Sequence, residues 1–228
     1  MRPKEIIIIE DILKNKKPKA CLEWGAGYST LYFPKHLEDA RWTVIEHDEL
    51  WFNKIKQLIG QNSKTSIYYI PPNQQPWTDP YNNGSFSDLR DYITFPEKMN
   101  EKFDFILIDG RARKLCLISA LKLLKNGGVV ILHDANRRYY HEPFKLYKHQ
   151  VLFTDFRHNS GGIWIGSNML DLHNLLDVDK HKLSWRVLER ISKLVRVVIS
   201  SLGRRQPKNN NHDEIIILGN YEAPKESF

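Results

Sequence analysis

Ala20-Cys21-Leu22-Glu23-Trp24-Gly25-Ala26-Gly27-Tyr28-Ser29-Thr30 is the stretch on which the fold turns. A compact apolar run enters a glycine turn, the pattern of a buried strand that ends abruptly before a helix. Two glycines let the backbone turn tightly and approach a ligand closely, and the following helix presents free N–H groups. A dinucleotide fingerprint asks for a third glycine where Thr30 stands. The glycine pair by itself therefore fits an ordinary strand-to-helix turn as well as a nucleoside cradle.

Reading outward, Glu5 to Leu13 has helical spacing, with Ile6, Ile9, Ile12 and Leu13 apolar. Downstream, Trp42–Ile45 reads as a second strand ending at Glu46-His47-Asp48, and Leu50–Ile59 as a helix. Ser66–Ile70 is a third strand, and Pro71–Ser87, rich in Pro, Asn, Gln and Gly, is a long loop of the kind that is often functional. Phe103–Ile108, apolar except for Asp104, is a fourth strand ending at Asp109-Gly110. Leu115–Leu124 reads as a helix closed by Gly127-Gly128 as a C-cap. Val129–Leu132 is a fifth strand, ending at His133-Asp134.

Continuous apolar strands alternating with helices specify a parallel sheet covered on both faces. Val151–Arg157 and Gly162–Gly166 then break the rhythm as a hairpin around His158-Asn159-Ser160-Gly161. The expected fold is a doubly wound α/β, Rossmann-like sheet of five parallel strands plus an antiparallel hairpin, with a C-terminal helical extension. The expected division is one domain over 1–167 and an extension over 168–228.

In an open parallel sheet ligands sit beyond the carboxyl ends of the strands, where the strand order reverses. Glu46 follows Gly27 by nineteen residues and ends strand two, the place of a carboxylate that accepts ribose hydroxyls. The other strand ends carry Asp109-Gly110-Arg111-Ala112-Arg113 and His133-Asp134-Ala135-Asn136-Arg137-Arg138. All these groups are expected in one crevice.

E-x-G-x-G-x-S-T at Glu23–Thr30, V-I-E-H-D at Val44–Asp48, F-D-x-I-L-I-D-G-R-x-R at Phe103–Arg113 and G-G-V-V-I-L-H-D at Gly127–Asp134 together resemble the class I S-adenosylmethionine-dependent methyltransferases, their small-molecule O-methyltransferase-like branch above all. The resemblance covers about residues 19–166. It implies a methyl transfer from S-adenosylmethionine to an oxygen of a small-molecule or sugar acceptor. By it, Glu23, Gly25, Gly27, Ser29 and Thr30 surround the methionine part of the cofactor, Glu46 holds the ribose with His47 and Asp48 adjacent, and the adenine lies near 70–73. A hydroxyl acceptor needs a base, for which Asp109, His133 and Asp134 are the candidates, His133 having the ordinary pKa best suited to neutrality. Some relatives bind a divalent cation through acids after strands four and five plus an amide. Asp109, Asp134 and Asn136 offer such oxygens, although Ala135 separates acid from amide. Arg111, Arg113 and Arg137 suit a carboxylate or phosphate on the acceptor, or else pair with Asp109 and Asp134 to hold the loops. A nicotinamide oxidoreductase shares the glycine turn and the ribose acid, and a non-catalytic binding module of the same fold is a further alternative.

The net charge of +7 does not describe the domain. Lys180, Lys182, Arg186, Arg190, Lys193, Arg196, Arg204 and Arg205 stand against Glu189 alone, which leaves 26 residues of each sign in the rest of the chain. A nucleic-acid footprint is therefore not expected of the main body. From Val187 to Leu202 the apolar residues fall within an arc of about 140° at helical spacing, with Arg186, Arg190, Lys193 and Arg196 opposite. Such a helix packs on the domain or a second subunit, making a homo-oligomer, or lies on a membrane surface through 183–202. No apolar run approaches the ~20 residues of a membrane span. Two cysteines exclude a disulfide framework, and the charged opening residues lack the apolar core of a leader. The expected compartment is the cytoplasm, with peripheral membrane contact as its variant. Arg204–His212 reads as a linker and Glu214–Leu218 as a last short strand.

Overall fold

The computed structural model describes residues 1–60, 64–77, 83–157 and 160–201. Tyr81, the His158-Asn159 turn, the linker and the Glu214–Leu218 strand fall outside the described residues.

Helix α1 (Pro3–Lys16) begins with proline at its first turn, where no N–H is needed. Glu5 reaches back to the Arg2 amide at 2.6 Å, and Lys14 and Lys16 stand at the negative end of the helix dipole. Ile8, Ile9, Ile12 and Leu13 are buried. Strands β1 (Ala20–Trp24), β2 (Arg41–Glu46), β3 (Thr65–Tyr69), β4 (Phe103–Ile108) and β5 (Leu124–His133) pair in parallel. Strand β7 (Ile163–Ser167) joins β5 antiparallel and β6 (His149–Phe153) joins β7 antiparallel, giving the order β3-β2-β1-β4-β5-β7-β6. This is the expected Rossmann-like α/β sheet with its hairpin.

Side chains alternate across the strands and divide the core in two. Cys21, Phe105, Leu107, Val129 and Ile131 join α1 on one face, together with Ile55 of helix α3 (Glu49–Ile59). Leu22, Trp24, Ile106, Ile108, Val130 and Leu132 lie on the other, beneath helices α4 (Phe86–Thr94) and α5 (Arg113–Leu123). A five-residue helix α2 (Tyr28–Tyr32) follows the glycine turn, and helix α6 (Val178–Ser201) closes the described chain. Among the described residues no helix is long and apolar enough to cross a membrane.

Two elements differ from expectation. The long loop ends at Ser85, whose hydroxyl accepts from the Asp88 amide while Asp88 accepts from the Ser85 amide. That reciprocal cap nucleates α4. Gly127 and Gly128 do not cap α5, which stops at Leu123. They lie in β5, where the pairing jumps from Phe103–Leu124 to Phe105–Val129. The bulge brings Gly128 so near Phe103 O and Lys125 O that a Cβ would stand 3.0 Å from each.

Candidate active site

The strand order reverses between β1 and β4, and the turns that leave these two strands touch. Gly25 has φ +93°, and a Cβ there would stand 2.3 Å from Gly110 Cα. Glycine is thus needed at Gly25 for the backbone of the neighbouring turn as well as for its own dihedral. Gly27 is extended, and the nearest atom to an added Cβ is Ser29 Oγ at 3.7 Å. Of the two glycines, only Gly27 fronts open space.

Glu23 is fully buried behind this turn. It accepts from Ser29 Oγ, Thr30 Oγ1 at 2.9 Å and Trp42 Nε1 at 2.7 Å. Burial pushes its carboxyl up to about 7, against the pull of those three hydrogen bonds. Glu23, Ser29 and Thr30 therefore bind one another and shape the turn from behind. Glu46 is nearly as buried, at 3% exposure. Its Oε2 accepts from the Ala26 amide at 2.7 Å and its Oε1 from the His47 and Asp48 amides at 2.7 and 2.8 Å. Of a carboxylate's roughly four acceptor positions, these leave one, on Oε2. The sequence reading asked Glu46 to accept both ribose hydroxyls, and this geometry leaves room for one.

Beside Glu46 lies a group of buried donors without well-aligned partners. His47 Nδ1 stands 2.8 Å from Glu46 Oε1, out of line for a hydrogen bond, Trp77 Nε1 makes none, and the Tyr92 hydroxyl, which the Arg111 backbone approaches from its oxygen side, has no acceptor for its proton. The three rings are neighbours, His47 lying 5.6 Å from Trp77 and 5.4 Å from Tyr92 between centroids. Tyr92 presses its hydroxyl against the Gly110 backbone, where a Cβ would stand 2.1 Å away. Buried polar side chains are rarely left unpaired. Three together leave polar positions that a bound water or a ligand would satisfy. Trp77 also carries the exposed Arg111 guanidinium 5.6 Å above its ring.

The polar ends of β4 and β5 converge as expected, yet their side chains are occupied. His133 donates from Nδ1 to Asp109 Oδ1 at 2.7 Å and from Nε2 to Glu5 Oε2 at 3.2 Å. Burial alone would lower its pKa. The charges and hydrogen bonds of Asp109 and Glu5, with Asp134 beside them, raise it to about 9. At neutral pH His133 is thus a cation with both ring nitrogens engaged, which removes it as the resting base. Asp109 and Asp134 resist burial's upward push, because His133 and Arg113 hold both below the usual carboxylate range. Asp134 also has φ +59°, a left-handed conformation costly for a residue other than glycine and characteristic of functional sites.

Arg113, expected at the acceptor rim, is buried instead. It donates to Gly110 O, His133 O and Asp109 O, each at 2.8 Å, and pairs with Asp109 and Asp134 at 3.2 and 3.1 Å. It braces two loops and has no group left for an acceptor. Arg137 pairs with Asp134 at 3.3 Å and remains a quarter exposed. The metal set does not assemble. Asn136 Nδ2 donates to Asp155 Oδ1 and Ser160 O, turning the amide toward the hairpin, and no metal-binding group forms among the described residues.

Glu5 and Arg157 carry no local sequence signal for the site. Glu5 sits 128 positions from His133 and accepts also from Arg157 Nη2 at 2.6 Å and the Gly162 amide at 3.1 Å. Arg157 in turn pairs with Asp155, which Lys4 meets at 2.8 Å. An open depression lies elsewhere, at the amino ends of β1 and β2 between Lys14, Lys19 and Asp39, away from this chemistry.

No protein-family model and no curated protein matches the sequence. Among solved structures, a methyltransferase-like protein of Silicibacter pomeroyi superposes with TM-score 0.55 at 17% identity, over 80% of this chain and 95% of that one. An O-methyltransferase from Bacillus cereus in complex with SAH gives 0.56 at 18% identity, over 73% and 82%. A spermidine synthase in complex with the transition-state analogue AdoDATO gives 0.53 at 13% identity, over 76% and 63%. The chain has the class I methyltransferase fold, and that fold is shared with an enzyme of another name.

Proposed function

We propose that this chain is an S-adenosylmethionine-dependent methyltransferase that transfers a methyl group to an oxygen of a small-molecule or sugar acceptor. The observation that carries the reading is the trio of unpaired buried donors, His47, Trp77 and Tyr92, beside Glu46 and the glycine turn at the switch point of the sheet. A nucleoside offers ring nitrogens and hydroxyls, and the one open position on Glu46 suits a hydroxyl. Gly27 leaves the turn open on the side of α2, and its missing side chain makes room for the amino-acid end of the cofactor. When bound, the cofactor supplies an electrophilic methyl group.

The chain's own part is alignment and charge. Catalysis of a displacement is largely positioning, and the charge-locked ends of β4 and β5 make a rigid wall for it. His133 is held as a cation, and Asp109 and Asp134 are held as weakly basic anions. Such groups favour an acceptor that arrives already deprotonated, a carboxylate or another acidic oxygen. Arg111 and Arg137 are the residues this reading assigns to that charge. The two buried free thiols suit a reducing compartment such as the cytoplasm.

Isothermal titration with S-adenosylmethionine, its demethylated product and NAD tests the reading. The first two should bind and NAD should not. An acceptor panel pairing each acid with its neutral alcohol should then show demethylated cofactor from the acids first. Failure of both adenosyl compounds to bind refutes the proposal.

A further inference from the structure

Helix α6 has two unlike halves. The first, with the turn that leads into it, is tied to α1 in antiparallel sense: Asn15 Nδ2 donates to Leu175 O just before α6 at 2.9 Å, His181 Nε2 pairs with Asp11 Oδ2 at 2.9 Å, and Lys4 Nζ lies 4.0 Å from the Trp185 ring centre. Trp185 also donates to Thr154 O, just past the carboxyl end of β6. Since Glu5 at the start of α1 reaches His133, α6 climbs toward the end of the sheet where the candidate active site lies. Sixteen residues of α6 follow Trp185. At about 1.5 Å per residue they extend roughly 24 Å beyond Trp185.

Past Trp185, among the described side chains, Val187 is 46% exposed, Ile191 51%, Leu194 64% and Val195 50%. They do not continue the packed face. Val178, His181 and Trp185 point about 100° around the helix from the Val187–Val195 stripe. Basic Arg186 and Arg190 are exposed on the side of the helix away from that stripe. Among residues 180–205 there is a single acid, Glu189, against eight bases. A second copy laid on this stripe would add a second set of these bases with one acid per chain to offset them. An anionic surface that also accepts apolar side chains answers both properties at once.

We infer that α6 beyond Trp185 docks the protein on an anionic lipid bilayer, with Val187, Ile191, Leu194 and Val195 entering the headgroup boundary and Arg186 and Arg190 meeting lipid phosphates. The helix projects from the end of the sheet that bears the site, so docking holds the crevice beside the membrane. The acceptor then belongs to a membrane-borne amphiphile with an acidic headgroup. That last step rests on the methyltransferase reading, whereas the docking does not.

Co-sedimentation of the full chain with phosphatidylglycerol–phosphatidylcholine vesicles tests the docking, and calorimetry with S-adenosylmethionine separately tests the reading it extends. The wild type should pellet with these vesicles at least about tenfold more strongly than with phosphatidylcholine alone, and lose that preference in high salt. I191E/L194E should abolish pelleting, and R186E/R190E should weaken it more than about tenfold, both with unchanged circular dichroism and cofactor affinity. Equal pelleting of wild type and variants overturns the inference. So does a wild-type dimer in gel filtration that I191E/L194E converts to monomer without any vesicle binding by either.

Discussion

Replacing Glu5 with Gln keeps the side chain's shape and removes the charge that faces His133 and Arg157. Glu5 is fully buried, and its carboxyl sits at about 2: burial pushes it up, while His133, Arg157 and the Arg2 amide pull it down further. Seen from the other partner, His133 rises from 6.5 to about 9. At about 1.4 kcal/mol per pH decade, that shift corresponds to about 3 kcal/mol of folding stability. The two shifts largely describe one interaction from its two ends and are not added. The sign follows from protonation. His133 is raised, so its contribution is complete below pH 6.5 and is lost as pH climbs through about 9. Glu5 is depressed, so its share is present above 4.5 and is lost as pH falls toward about 2. Glu23, raised to about 7, has completed most of its own loss at the lower edge of the alkaline window. Urea unfolding from about pH 7 to about 8.5 should therefore cost the wild type about 2 kcal/mol. E5Q should lose about 3 kcal/mol at neutrality, the lower end for breaking a buried pair, because Asp109 and Asp155 remain as counter-charges. Its slope across the same window should be shallower. A flat wild-type profile would refute the charged state of His133, and an unchanged slope in E5Q would refute its coupling to Glu5.

The two glycines of the turn should separate by mechanism. G25A collides with the Gly110 backbone and should destabilise the fold by about 2–4 kcal/mol in denaturant titration, whereas G27V should fold normally and lose S-adenosylmethionine binding in calorimetry. W77F removes the unpaired indole donor together with part of the ring and should weaken cofactor binding by about 1–3 kcal/mol; unchanged affinity would place the nucleoside elsewhere. R113A strands two buried carboxylates and should cost about 3–5 kcal/mol of stability. R111A, by contrast, should leave the melting temperature alone and raise the acceptor KM.

The sheet was legible because its strands are continuous apolar runs punctuated by glycine and acid, and the rule that such strands lie parallel and covered is nearly free of alternatives. Helix α4 was hidden because the polar, proline-rich composition of 71–87 dominates that window, although the Ser85–Asp88 cap is written in the sequence as S-x-x-D. Gly127-Gly128 misleads for a different reason. A glycine pair after a helical pattern is a C-cap signal, and only the register between β4 and β5 reveals that a bulge needs it more. At the strand ends, residue type and place were legible and availability was not. His133 was the natural base by its ordinary pKa, but no local spacing announces that Glu5, from the first helix, takes its second nitrogen.

Availability is what divides this crevice. Glu23, Arg113 and His133 are the residues whose chemistry is loudest in the sequence; Arg113 and His133 have spent every donor on the protein, and Glu23 has spent three of its roughly four acceptor positions. They fix the turns after β1, β4 and β5 against one another across the switch point. His47, Trp77 and Tyr92 are quieter, yet they are the ones left with buried donors to offer. On the proposed function, rigidity and recognition thus fall to different residues. A saturated carboxylate or guanidinium cannot turn toward a ligand without stranding its partner, which costs more than one new hydrogen bond returns. An unpaired indole or phenol loses nothing on binding. Affinity for a nucleoside should accordingly follow the aromatic trio, while changes at Glu23, Arg113 or His133 should register first as lost stability.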